Sequence, residues 1–310
     1  MRAFALDAFA EPGSIHELPD PQPSAGHVRV RVRAASINAF DSFVVQGYMK
    51  DRMEHHFPLV PCSDLSGTID LLGDGVDGFA VGDPVFGITG RMIGEGTLAE
   101  LTTAAAGNIA RRPAAIDDRE AAALPLAGVS ALMSVEAADP KPGSVVVIVG
   151  ASGGVGGYAV QLAVHRGARV IGVTSPDHLD YVRSLGAADA IDRTAGDVLE
   201  ALKSRHGDGV DAIIDTASDA GGLARLSALV RKGGALISMR GSAAAEELAK
   251  RGIKGVNIQT RVTTERLTQL SAFCAEGTLK APMIHTYALE DAGEALKAVG
   301  HSGGKIVVTI

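Results

Sequence analysis

The chain has 310 residues and a formal net charge of -7; 46% of its residues are hydrophobic and 21% are charged. This composition is typical of a globular protein with two domains of ordinary size, and without a basic cluster we do not expect nucleic acid as a partner. No apolar run is long enough to cross a membrane and the first residues lack a secretory signal pattern, so we expect a cytoplasmic protein with no membrane partner.

The chain contains two cysteines, Cys62 and Cys274, which lie far apart in the sequence. Two cysteines cannot supply a four-cysteine zinc site, and they do not form the framework of a disulfide-rich protein. We expect both to be reduced and structural, because a free cysteine usually packs as a small apolar residue.

The first 110 residues alternate short apolar segments with glycine and proline turns. Val28–Arg33 alternates valine and arginine at every position, which predicts a strand with one face in a core and the arginine face in water. Such short strands and turns predict a compact, mainly β domain with little helix. The other predicted strands are Met1–Leu6, Thr68–Leu72, Val85–Ile88 and Thr97–Thr102.

A polar cluster follows the predicted strand Val28–Arg33 and contains Asn38, Asp41 and Tyr48. Asn38 and Tyr48 carry hydrogen-bond donors that could contact a substrate, and Asp41 could orient them. The alternative is structural, because Asn and Asp often bond their own backbone in turns and tyrosine often packs its ring into a core. The sequence leaves both interpretations open.

Near Asp117–Glu120 the composition changes to Ala- and Leu-rich helix, and we place a domain boundary there. From Val145 onward, strands alternate with helices, which predicts a parallel, doubly wound sheet with helices on both faces. The closing segment Lys305–Ile310 is strand-like, and composition does not decide which domain it joins.

The second region begins with an apolar run, Val145–Val149, that ends directly in the glycine-rich segment Gly150–Gly157. A buried strand, a glycine turn and a helix, followed by a second strand at Arg169–Val173, predict a dinucleotide site rather than a merely structural turn. In this arrangement backbone N–H groups and the positive end of the helix bind the pyrophosphate. The residues predicted to form the turn are Ala151, Ser152, Gly153, Gly154, Val155 and Gly156.

The end of the second strand predicts which dinucleotide binds. An NAD-binding fold usually carries an acidic residue there, whereas this chain has Thr174 and Ser175. His178 and Arg193 are cationic candidates for the 2'-phosphate, and the forked Arg193 is the stronger one. We therefore predict NADPH, with NADH as the alternative if Asp177 turns inward to the ribose.

A series of motifs in this order resembles the medium-chain dehydrogenase/reductase superfamily, and within it the zinc-free quinone oxidoreductase branch that includes zeta-crystallin. The resemblance spans nearly the whole chain and does not specify a substrate. The motifs are Asn38-x-x-Asp41, Pro61-x-x-Asp64-x-x-Gly67, Val81-Gly82-Asp83-x-Val85, Leu124-Pro125-Leu126-Ala127-Gly128-x-Ser130-Ala131, Gly150–Gly156, Leu185-Gly186-Ala187, Lys232-Gly233-Gly234 and Gly304-Lys305-Ile306-Val307.

The resemblance implies an α/β protein with two domains and a substrate cleft between them. A GroES-like, mainly β catalytic domain would comprise residues 1–118 and 282–310, and a Rossmann NADP(H)-binding domain with a doubly wound parallel sheet would comprise residues 119–281. It also implies a homodimer joined through the edge of the nucleotide-domain sheet, here Gly255–Val262.

The resemblance also assigns roles to individual residues. Zinc-dependent relatives carry a cysteine and a Gly-His-Glu motif where this chain has Asn38–Asp41 and Cys62–Asp64, so no catalytic zinc is expected. Ser130 stands where relatives usually have a threonine beside the nicotinamide, and His178 and Arg193 stand where relatives often contact the 2'-phosphate. Outside the glycine turn we assign to the cofactor site Ser130, Thr174, Ser175, His178, Arg193, Thr216 and Lys305.

The expected chemistry is hydride transfer to an electron-poor acceptor. Without metal, hydrogen-bond donors such as Asn38 and Tyr48 must stabilise the oxyanion that forms, and such a site suits quinones and enones better than simple ketones. Two alternatives remain. One is an enoyl-thioester reductase that binds phosphate through Arg111 and Arg112, and the other is a non-enzymatic NADPH-binding or sensor protein.

Overall fold

The structure, a computed structural model, describes residues 1–90, 94–300 and 302–310 and divides into two compact units. The first unit comprises Met1–Val129, Val262–Gly277 and Met283–Ile310, and the second comprises Ser130–Arg261 and Thr278–Pro282. Residues 119–129 and 262–277, which the sequence placed in the nucleotide domain, therefore lie in the first unit.

Side-chain packing explains this difference from the predicted boundaries. Ala122 and Ala123 are fully buried in a small cluster with Ala34 and Val307, which are strand residues of the first unit. The hydroxyl of Thr264 lies 3.1 and 2.7 Å from two backbone carbonyl oxygens of the first unit and donates its one hydrogen between them. The helical residues 119–129 and 262–277 therefore pack onto the β domain, although their composition resembles that of the nucleotide-domain helices.

The secondary structure follows the predicted division into a strand-rich start and an alternating second region. Within the described residues, the strands are β1 (Arg2–Ala5), β2 (Ser14–Glu17), β3 (His27–Ile37), β4 (Asp64–Leu72), β5 (Pro84–Ile88), β6 (Leu101–Ala105), β7 (Ile109–Arg111), β8 (Val145–Val149), β9 (Arg169–Thr174), β10 (Asp189–Asp192), β11 (Val210–Asp215), β12 (Val230–Ser238), β13 (Lys254–Asn257), β14 (Ile284–Ala288) and β15 (Lys305–Thr309). The α-helices there are α1 (Ala39–Val45), α2 (Asp118–Ala123), α3 (Pro125–Ala138), α4 (Gly154–His165), α5 (Leu179–Ser184), α6 (Val198–Arg205), α7 (Ala220–Leu226), α8 (Ala245–Lys250), α9 (Thr264–Ala275) and α10 (Ala292–Ala298).

The first unit is built on a sheet in the order β14-β15-β3-β4-β5-β7, with β6 paired to β3, and on a separate β1-β2 pair. On β3 the valines are buried while Arg31 and Arg33 are exposed, as the alternation predicts. The closing strand β15 pairs antiparallel with β3, so it belongs to the first unit. This pairing places Lys305, the first residue of β15, at the interior of the β domain.

The second unit holds a parallel sheet in the order β10-β9-β8-β11-β12-β13. This is the strand order of a Rossmann fold, in which the order reverses beside the first strand and ligands bind at the carboxyl ends of the strands. The predicted α/β class, a mainly β domain with a doubly wound parallel-sheet domain, is confirmed. None of the helices in the described parts of the chain is both long and apolar enough to cross a bilayer.

The edge strand β13 ends at Asn257, earlier than the predicted segment Gly255–Val262. The side chain of Asn257 accepts a hydrogen bond from the Ala243 N–H at 2.9 Å and donates one to the Ala243 carbonyl at 3.0 Å. These two hydrogen bonds hold the chain at Asn257, the last residue of the strand, against the loop that contains Ala243.

Candidate active site

The glycine turn after β8 has a backbone that larger residues could not adopt. Gly150 has a φ of +79°, and a Cβ there would lie 2.3 Å from the Thr216 hydroxyl. A Cβ on Gly156 would lie 2.1 Å from the carbonyl oxygen of Gly150. Both positions therefore require glycine, and the start of α4 packs directly against the end of β8.

The same turn presents hydrogen-bond donors at the start of α4. Gly153 is the N-cap and has no side chain with which to cap the helix, so the N–H groups of Gly154, Val155 and Gly156 have neither intrahelical nor side-chain partners among the described residues. The Gly157 N–H, in contrast, already bonds to the Gly153 carbonyl at 2.7 Å. Open amides at the positive end of a helix fit a pyrophosphate.

The end of β9 lies beside this turn. The buried hydroxyl of Thr174 donates to the hydroxyl of Ser152 at 2.7 Å, which ties the glycine turn to the second strand. The Ser175 hydroxyl lies 2.8 Å from Nδ1 of His178, and the Arg193 N–H donates to the Thr174 carbonyl at 2.8 Å. The structure therefore brings Thr174, Ser175, His178 and Arg193 together at the carboxyl end of β9.

One cation at this end of the sheet is available to an anion, although the charge of the neighbouring Asp192 lies close enough to interact with it. The Arg193 side chain is exposed, and within the described residues no carboxylate lies within ion-pair distance of its guanidinium. Asp177, the residue that could favour NADH, is exposed on the short helix that follows Ser175.

Two further predicted residues lie in the second unit, one after a strand and one on a helix. Thr216 follows β11, and both its N–H and its hydroxyl donate to the Val149 carbonyl, at 3.1 and 2.8 Å. Ser130 on α3 is buried, with its hydroxyl 2.7 Å from the hydroxyl of Thr260. Thr260, which lies three residues beyond β13, was missed by sequence reasoning because no pattern marks it.

The polar cluster predicted in the first unit forms around Asn38, the N-cap of α1. The Asn38 N–H donates to Oδ2 of Asp41 at 2.6 Å, and the Asn38 Nδ2 donates to Oδ2 of Asp64 at 3.0 Å. The Lys305 Nζ donates to Oδ1 of Asn38 at 2.5 Å and lies 3.8 Å from Oδ2 of Asp64. Lys305, assigned from the sequence to the cofactor site, thus bonds within this cluster.

Burial perturbs every ionisable group around Asn38. Desolvation, with the nearby Asp64 charge, raises the pKa of Asp41 to about 7. Desolvation also raises the pKa of Asp64 to about 6, although Lys305 opposes it, and it lowers the pKa of Lys305. Such perturbed groups cluster at functional sites more often than elsewhere.

Tyr48 is not part of this cluster. Its side chain is 71% exposed, its ring packs edge-on to Phe43 at 6.1 Å, and in the described structure its hydroxyl makes no hydrogen bond to Asn38 or Asp41. Asp41 therefore does not orient Tyr48. Asp64 and Lys305 were the residues that sequence reasoning missed as partners of Asn38, and the available signal was that each is a charged residue at the first position of its strand.

The residues near Asn38 do not fit a zinc site. No group of three His, Cys, Asp or Glu side chains in residues 1–90, 94–300 and 302–310 is arranged to hold a metal ion. The nearest thiol, Cys62, is buried, and desolvation raises its pKa well above the ordinary value. The ammonium of Lys305 also occupies the centre of the cluster.

The chain matches two protein families and several whole proteins. Residues 24–114 match the alcohol dehydrogenase GroES-like domain, and residues 154–284 match the family described as zinc-binding dehydrogenase. The chain is 32% identical to the chloroplastic quinone-oxidoreductase QR1 of Triphysaria versicolor, over 99% of this chain and 98% of that protein. It is 30% identical to the quinone oxidoreductase of Rattus norvegicus, over 99% and 96% of the two chains.

The fold agrees with these sequence matches. The structure of the quinone oxidoreductase from Coxiella burnetii superposes with a TM-score of 0.89 at 27% identity and covers 100% of this chain and 99% of that one. A GroES-like domain joined to a Rossmann-type domain defines a nucleotide-binding oxidoreductase. The chain belongs to the medium-chain dehydrogenase/reductase superfamily, in its quinone oxidoreductase branch, which confirms the resemblance found in the sequence.

Proposed function

We propose that the protein is an NADPH-dependent, zinc-independent reductase of quinones or of activated C=C bonds in enones. The observation that carries this proposal is the glycine turn, whose open amides at Gly154–Gly156 lie beside a second strand that ends without a carboxylate. When bound, the reduced nicotinamide supplies a hydride to the acceptor.

NADPH rather than NADH is supported by the side chains beyond β9. Thr174 and Ser175 carry no charge that would repel a 2'-phosphate, and Arg193 offers a fork of donors that is not held in an ion pair with any described residue. We assign the 2'-phosphate to Arg193 and His178, the pyrophosphate to residues 151–156, and the nicotinamide to Ser130. Thr216 shapes the turn through its contact with Gly150.

A quinone or enone acceptor is supported by two considerations. Two relatives that align over nearly their whole length, at 32% and 30% identity, are named quinone oxidoreductases. The first unit offers neutral donors, Asn38 and Tyr48, which suit an acceptor that is already electron-poor and whose reduced oxyanion takes its proton from water. Asp41 holds the backbone of Asn38.

The enoyl-thioester alternative has less support. It needs a basic patch for the phosphates of a carrier, and Arg111 and Arg112 were the candidates. Arg111 pairs with Asp83 at 2.7 Å and Arg112 pairs with Asp118 at 3.2 Å, so both charges are already neutralised.

We further propose a cytoplasmic homodimer that joins through the open edge of β13, the last strand of the parallel sheet. Light scattering of the purified protein would measure its mass, and a monomer at micromolar concentration would contradict this assembly.

The test of the function is a panel of acceptors with both nucleotides. We expect oxidation of NADPH with 1,4-benzoquinone, 9,10-phenanthrenequinone or an alkenal, and slower oxidation of NADH. Binding of NADPH in a calorimeter without turnover of any acceptor would favour the non-enzymatic alternative and contradict the proposal.

A further inference from the structure

Two buried charged side chains of the first unit, Lys305 and Asp64, both contact the side-chain amide of Asn38. Oδ1 of Asn38 faces the ammonium of Lys305, which can only donate, and Nδ2 faces the carboxylate of Asp64. Because these two neighbours have opposite hydrogen-bonding roles, they fix the rotation of the amide and exclude its flipped form. Asp64 is itself held by the Leu126 N–H, which donates to its other oxygen at 3.3 Å.

Asn38 is the member of this cluster that is accessible. Asp41, Asp64 and Lys305 are at most 4% exposed, whereas the Asn38 side chain is only partly buried. The charges beneath it therefore reach a ligand through the Asn38 amide and not by direct contact.

One donor of the amide remains available. An asparagine Nδ2 carries two hydrogens, and Asp64 accepts one of them. The second has no other acceptor in hydrogen-bond geometry among the described residues, although the Asp41 carboxylate lies close enough to interact with the Asn38 side chain. The fixed rotation of the amide gives this remaining N–H a fixed direction.

We propose that Lys305 and Asp64 are positioning residues that hold the Asn38 amide so that its second Nδ2–H donates to the acceptor oxygen on which negative charge develops. This inference rests on the proposed function. It reassigns Lys305 from the cofactor site to the orientation of a donor.

The chemical step shows what the donor does. A quinone receives two electrons and one hydrogen as hydride while the donor C–H bond of the cofactor breaks and the cofactor is oxidised. The hydroquinone oxyanion that results then takes a proton from water. A donor that is already aimed at this oxygen stabilises the charge without reorganising during the reaction, which is the most effective form of such stabilisation.

The first test measures orientation and needs neither cofactor nor substrate. In proton-nitrogen NMR spectra of the protein, the side-chain amide pair of Asn38 is identified by its absence from the N38A variant. We expect its two proton shifts to differ from those of exposed asparagines and to move toward them in K305M and in D64N. The control variant K297M removes an exposed lysine that pairs only with Glu294, and it should leave the pair unchanged. If the two proton shifts of the Asn38 amide stayed the same in both K305M and D64N, the inference would be overturned.

The second test is a double-mutant cycle on quinone reduction. We expect K305M to lower kcat about 100-fold, as a misplaced catalytic group does, while the dissociation constant of NADPH stays unchanged. If Lys305 acts through Asn38, the N38A/K305M double variant should be no slower than N38A alone. The inference would be overturned if the loss of kcat in the double variant equalled the product of the losses in the two single variants. A weaker NADPH affinity of K305M at unchanged kcat would also overturn it.

Folding is controlled separately, because K305M leaves buried carboxylates uncompensated. The D64N/K305M variant removes both charges, and it should unfold near the wild-type denaturant concentration and still lose the amide orientation and the rate. A wild-type protein that reduces no quinone would overturn the proposed function and the catalytic part of this inference, whereas the amide signals decide the orienting role on their own.

Discussion

The Nζ of Lys305 lies 3.8 Å from Oδ2 of Asp64, with both side chains buried. Asp41 lies in the same cluster and also carries a carboxyl group. Charges removed from water in this way are costly unless they are paired and hydrogen-bonded, so two carboxyls beside one ammonium make the stability of the first unit depend on pH.

We expect the D41N substitution to remove a pH dependence of stability. The pKa of Asp41 is about 7 in the folded protein, where desolvation raises it from 3.8, so between these values the folded state holds more protons than the unfolded chain. The contribution of Asp41 is therefore fully present below pH 3.8 and is lost as the pH rises to about 7. Between pH 5 and pH 8 the wild type should lose about 2 kcal/mol of unfolding free energy relative to D41N in urea titrations.

The matched control for this experiment is D117N. Asp117 caps α2 as Asp41 belongs to the capping box of α1, but its pKa is lowered. Burial raises that pKa, and hydrogen bonds from the Glu120 N–H and from Arg119 outweigh the burial. Asp117 is therefore ionised across this range, and the difference in unfolding free energy between D117N and wild type should stay constant between pH 5 and pH 8. Parallel curves for wild type and D41N would contradict the assignment.

We expect G156A to abolish tight nucleotide binding. The added Cβ would lie 2.1 Å from the Gly150 carbonyl oxygen, so the turn must shift and misplace its amides. Overpacking of this kind costs roughly 1–3 kcal/mol, and NADPH affinity measured by calorimetry should fall at least about 10-fold. G207A places a methyl group in the same unit, with its nearest contact at 3.5 Å, and should leave affinity unchanged. Equal affinities for G156A and wild type would show that this turn does not hold the pyrophosphate.

We expect R193A to change nucleotide preference. Loss of a charge-assisted bond to the 2'-phosphate should weaken NADPH binding by about 10-fold and leave NADH binding unchanged. The measurement is the pair of dissociation constants, with R119A, an exposed arginine of the first unit, as the control. A variant that loses affinity for both nucleotides equally would place Arg193 away from the 2'-phosphate.

We expect Y48F to affect catalysis without affecting stability. Tyr48 is 71% exposed, so loss of its hydroxyl should change the unfolding free energy by less than about 0.5 kcal/mol. If the hydroxyl donates to the acceptor, kcat/KM for a quinone should fall about 10-fold, as expected for one lost hydrogen bond. An unchanged kcat/KM would leave Asn38 as the proposed donor and remove Tyr48 from the site.

The sequence predicted those parts of the fold that depend on local burial patterns. The alternation in β3 and the apolar run of β8 report which faces of a strand are covered, and both strands form where expected. The glycine turn was predictable for the same reason, since Gly150 and Gly156 stand where only glycine fits.

Features that depend on distant partners were not predictable. The composition of α2 does not say onto which sheet it packs, so its place in the first unit emerges only from its contact with Val307. Asn38 and Lys305 are separated by 267 positions, and nothing local marks one as the partner of the other. The contact between Asp41 and Asn38 is local instead, because their spacing of three residues forms a capping box in the structure.

The most direct test of the account is quinone reduction by metal-free protein. The enzyme is dialysed against a chelator, its residual zinc is measured, and the oxidation of NADPH is followed with 9,10-phenanthrenequinone. We expect the same kcat before and after chelation, with residual zinc far below one ion per chain. Activity that disappears on chelation and returns with added zinc would contradict it.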